Sequence, residues 1–116
     1  MSASVLSYKV GICRGHREGA VRTVDLEIED PDLPHIKHVV IDFFTRPSER
    51  VGFLNREAGT LALAMPATDF DPMYELLRAE ETLYFNVIVE PGDDVVVWAS
   101  LSTSEDSLRS PHRRGL

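Results

Sequence analysis

The chain has 116 residues, 43% of them hydrophobic and 27% charged, with a formal charge of −7. That length fits one domain, able to bury roughly 65% of its unfolded surface without covalent staples. The charge is uneven: residues 1–104 hold 17 acids against nine Lys and Arg, a net −8, while 105–116 nets +1, and so acidic a body repels phosphate backbones and excludes duplex nucleic acid as a natural partner.

Taken in chain order, strand-like runs recur with turn signals between them. Residues 8–13 and 21–28 flank a glycine-containing loop at 14–19 and read as a hairpin. Leu6, Tyr8, Val10 and Ile12 alternate with small or polar residues, as do Val24, Leu26 and Ile28, so this pair is expected to have one core face and one wet face. The link 30–35, with Pro31 and Pro34, is stiff and irregular. A third strand at 36–45 ends at Arg46-Pro47, because proline disfavours continued pairing. Residues 51–55 and 60–65 form a second hairpin, with Gly59 offering a positive φ in its turn.

One helix follows. Asp71 suits an N-cap, Pro72 the first helical position, and Met73, Leu76 and Leu77 an apolar stripe ending near Glu80. Residues 82–102 form a third hairpin. A three-residue loop at 91–93 turns Leu83, Phe85, Val87 and Val89 to the same side as Leu101, Ala99, Val97 and Val95, an all-apolar face, whereas a two-residue loop sets Val89 beside Asp94. The other face then carries Tyr84, Asn86 and Ile88 against Ser100, Trp98 and Val96.

These elements predict a mainly β fold, an antiparallel β-sandwich or flattened barrel of about seven strands with one α-helix between strands 5 and 6 and a meander-like topology. Residues 1–104 form the single β-rich domain and 105–116 a polar C-terminal tail. Cys13 stands alone, which excludes an internal disulfide and a cysteine-based zinc site. With no secretory leader and no run approaching the roughly 20 apolar residues of a membrane span, a cytoplasmic protein is expected, with no membrane partner.

No catalytic or cofactor motif stands out. Asp32, His35 and His38 are spaced three apart, but Pro31 and Pro34 break any helix that would gather them, so no metal site is assigned. His38 and Asp42 share a strand face yet lie about 13 Å apart there, too far for a hydrogen bond. The 14–19 loop lacks the spacing of a phosphate loop, and Ser100, Ser102 and Ser104 lie on no nucleophile elbow, so no catalytic residue and no cofactor are expected.

The informative feature is the second face of the central strands. His38, Val40, Asp42 and Phe44 on one strand, with Tyr84, Asn86 and Trp98 on the last hairpin, make a face too apolar to stay wet. A ten-residue helix, about 15 Å long, would shelter roughly half of it. Two function classes follow. The first is a non-enzymatic protein-interaction module, homodimeric through this aromatic face or bound there to another protein. The second is a small-ligand-binding protein or minor enzyme, with a pocket on the same face under the helix. In either case His38, Asp42, Phe44, Tyr84, Asn86 and Trp98 are the interface or pocket residues.

Overall fold

A computed structural model describes residues 2–12, 20–46, 51–79 and 82–103. Cys13, the 14–19 loop and the 105–116 tail lie outside the described residues. The strands are β1 (Ser2–Ile12), β2 (Ala20–Glu29), β3 (His38–Phe44), β4 (Gly52–Asn55), β5 (Thr60–Pro66), β6 (Tyr84–Val89) and β7 (Val95–Ser102), with helix α1 (Phe70–Arg78) between β5 and β6. The chain is mainly β, as expected, and takes the barrel form rather than the sandwich: the strands close in the order β1-β2-β3-β5-β4-β7-β6.

The meander expectation fails at one place. The three local hairpins form, but β3 runs parallel to β5, Val39 opposite Leu61 and Ile41 opposite Leu63, and β4 is placed between β5 and β7. The reason lies in β4. At four residues it is short, and its antiparallel hairpin with β5 leaves β5's other edge free for β3.

Alternation explains the core. Val24, Leu26 and Ile28 of β2, Val39, Ile41 and Phe43 of β3, Leu61 and Leu63 of β5, and Phe85 and Val87 of β6 all point inward and are buried. Each such side chain contributes about 1.5–3 kcal/mol by leaving water. On β5 the outward positions are small, Ala62 and Ala64, while the inward ones are leucines.

The helix does not shelter the outer face. Its buried residues Phe70, Met73 and Leu77 join the same core cluster as the inward strand residues. The Phe70 ring meets the inward Phe43 ring edge-on at 5.3 Å, so α1 stoppers the barrel interior. The helix starts at Phe70, after a 3-10 turn at Ala67–Asp69, and Pro72 falls within its first turn, where no intrahelical donor is needed.

Two strands depart from the sequence reading. Leu6, Tyr8, Val10 and Ile12 are exposed, Ile12 to 77%. A bulge between Val5 and Ser7 shifts the register, and β6 runs beside β1 only at Ser2–Ser4, so no described strand flanks the inward row on that side beyond that point. The last hairpin also has a longer turn. The Glu90 N–H donates to the Val95 carbonyl at 2.7 Å, and Asp94 takes a positive φ of 59°. Val97 then becomes the extra residue of a bulge between the Val96 and Trp98 pairings. Val96 turns inward, Val95 and Val97 turn outward, and Phe85 faces Leu101 rather than Ala99. Arg56 binds the Asp94 carboxylate at 3.1 Å, tying the β4–β5 turn to this one.

Candidate contact surface on the outer barrel face

The outer positions of four neighbouring strands converge on one groove. Asp42 and Phe44 on β3, Ala62 and Ala64 on β5, Phe53 on β4 and Val95 on β7 line a cavity of about 270 Å³. The register builds it directly: Asp42 lies opposite Ala64, and Phe53 lies opposite both Ala62 and Val95. The alanines make a low floor and the two phenylalanines make walls. Gly52 lets the chain come close at the base, since a Cβ there would run into the Ala62 carbonyl and the Leu63 Cα. Phe53 is 55% exposed, so the wall faces solvent.

The apolar surface continues along β7 onto β6. Val97 and Ile88 are exposed, and the half-buried Trp98 lies opposite Ile88. The sequence-expected residues are thus divided between neighbouring zones. Asp42 and Phe44 line the groove, while Tyr84 and Trp98, both half-buried, lie on the far strands β6 and β7. Two strands separate β3 from β7, about 14 Å of sheet.

His38 and Asn86 take other roles. His38 is exposed at the opposite end of β3, opposite Glu27 and Thr60, in a small polar depression with Ser7, Lys9 and Asp25. Asn86 is fully buried and cannot touch a partner. Its side-chain oxygen accepts from the Ser2 hydroxyl at 2.7 Å, and its amide donates to Ser102 at 3.2 Å and Ser100 at 3.5 Å. It therefore stitches β1, β6 and β7 together.

Sequence reasoning missed Phe53 and the outward turn of Val95. A usable signal was present: the Leu61-Ala62-Leu63-Ala64 alternation marks β5's inner and outer faces, and the hairpin register then sets Phe53 over Ala62. For Val95 there was none, because three consecutive valines hide which one is the extra residue. Among the described residues no cluster of three or more His, Cys, Asp or Glu side chains is placed to hold a metal ion, and no helix is long and apolar enough to cross a membrane. No family model, curated protein or solved structure shows significant similarity to this chain.

Proposed function

We propose that the chain is a non-enzymatic protein-interaction module that dimerises through the outer face of β3, β5, β4 and β7, and that it works in the cytoplasm. The supporting observation is the groove: two aromatic walls, one of them well exposed, over an alanine floor, with apolar surface continuing to Ile88, Val97 and Trp98. Aromatic side chains beside small ones give an interface knobs and the hollows to receive them, and they carry a large share of interface energy. A two-fold partner would set Phe53 of one copy over the alanine floor of the other.

Sedimentation velocity of the wild type and of Phe53→Glu tests this. The expected result is a wild-type dimer and a monomeric variant. The variant should keep its fold, because exposed positions cost within about 0.5 kcal/mol. A wild type that stays monomeric at every concentration, or a dimer indifferent to the substitution, overturns the reading.

The second reading is a small-ligand site in the same groove. The half-buried Asp42 supports it, a carboxylate set in an otherwise apolar lining. The volume lies near the lower end of ligand pockets, about 300 Å³. A monomeric wild type that binds a fluorescent apolar dye, with binding abolished by Ala62→Phe, would favour this reading over the dimer.

A further inference from the structure

The other unfinished part of the barrel is the edge of β1. Beyond the N–H of Val5, which donates to the Leu83 carbonyl at 2.9 Å, β1 has β2 as its one ladder neighbour among the described residues. In a strand, residues that share a face also aim their N–H and C=O groups at the same edge. Val5 is an inward residue whose N–H points to the β6 side. Past the bulge the inward row is Tyr8, Val10 and Ile12, set opposite the inward Leu26, Val24 and Arg22. Their backbone groups therefore face the side on which, among the described residues, no strand continues the pairing with β6. Their side chains are exposed as well.

Between this edge and α1 runs a trough of about 400 Å³, whose lining includes Leu6, Tyr8, Leu77 and Arg78. A stacked series runs from β2 along α1. The Arg22 guanidinium lies 4.4 Å from the Phe70 ring centre, Phe70 stacks on Tyr74 at 5.5 Å, and Arg78 lies 5.4 Å from the Tyr74 ring. The series spans no more than about 15 Å, the rise of four to five strand residues. Arg22 lies on β2 opposite Ile12, and Arg78 lines the trough beside Leu6 and Tyr8, so a cation stands near each end of this stretch of β1. Each has an exposed acidic neighbour, Asp71 at 3.6 Å and Glu75 at 3.4 Å, but exposed pairs of this kind are weak and readily exchanged.

We propose that the open edge of β1 accepts an extended strand from another protein, with carboxylates four positions apart and an apolar residue midway between them on the same face. Backbone complementarity selects a strand, the exposed Tyr8, Val10 and Ile12 row selects apolar side chains, and Arg22 and Arg78 select acidic ends. A second copy fits less well: residues 2–12 contain Lys9 and no acid, so a paired β1 would bring cations to cations.

The test is an NMR titration of the full chain with the acetylated, amidated peptide Glu-Thr-Val-Thr-Glu, whose two glutamates and central valine share one face. The expected result is shift changes and slowed exchange centred on the amides of Tyr8, Val10 and Ile12. A peptide with Lys in place of Glu, and one N-methylated at its three central residues, should bind on the order of tenfold weaker or worse. Val10→Pro removes an N–H that points away from β2 and should weaken binding comparably, and Arg78→Glu should reverse the preference between the Glu and Lys peptides. Equal binding of the acidic and basic peptides, undiminished binding of the N-methylated one, or responses confined to other strands overturn the proposal. So does a wild-type self-association that Val10→Pro abolishes, because a second copy would then occupy the edge. None of these residues lies in the Phe53 groove, so the outcome is independent of the dimer test.

Discussion

Asn86 shows how one side chain can be misjudged from sequence and still matter. Within an apolar strand it reads as a polar handle facing a partner. Ser100 and Ser102, two of its three hydroxyl neighbours, share its face by alternation but come beside it only through the Val97 bulge, and Ser2 lies 84 residues away in the chain, brought there by barrel closure. Asn86→Ala is expected to cost about 1–3 kcal/mol, because serine hydroxyls lose a buried partner, and urea unfolding reads it. The same experiment applies at Gly52, where a methyl group meets the Ala62 carbonyl. Gly52→Ala should destabilise by roughly 1–3 kcal/mol and distort the groove floor. Gly59 is a different case: its φ of +70°, and the His35 carbonyl that a Cβ there would run into, make it the turn residue that the sequence already marked.

Among the elements, strand positions and the helix were legible, because alternation and the Met73–Leu77 stripe report directly on burial. Register was not always so. Identical valines at 95, 96 and 97 leave the bulge invisible, since any one of them could be the extra residue. A chain lacking one of these valines regains plain alternation up to Trp98. It is expected to fold with a loss under about 2 kcal/mol, checked by circular dichroism and urea midpoint. β1 fails for the opposite reason: its pattern is that of a core strand, and beyond Ser4 no strand among the described residues pairs with its second edge. The helix binds the barrel through Phe70, which the sequence reading left outside the apolar stripe. Phe70→Ala should cost about 3 kcal/mol, as it removes the ring against Phe43 and unseats Arg22.

For the whole molecule, the fold class was legible and the strand order was not. Hairpins are local and announce themselves through turns, whereas the pairing of β3 with β5 joins segments with another strand between them in sequence. The closure has two short seams. β1 meets β6 over Ser2–Ser4, and β4 meets β7 at Gly52 and Phe53. Amide exchange should therefore be fastest along these seams and slowest where β2, β3 and β5 run side by side, a gradient read by hydrogen-exchange NMR. Uniform protection around the ring would contradict the seam description.

An odd number of staves cannot alternate up and down all the way round a cask. With seven, two like-directed staves must meet somewhere, and here they meet where β3 lies against β5. The groove of Phe44, Phe53 and the two alanines straddles that joint. Adding or deleting a single strand would change the parity and move or erase the joint, so the recess on the barrel's outer wall comes with its strand count.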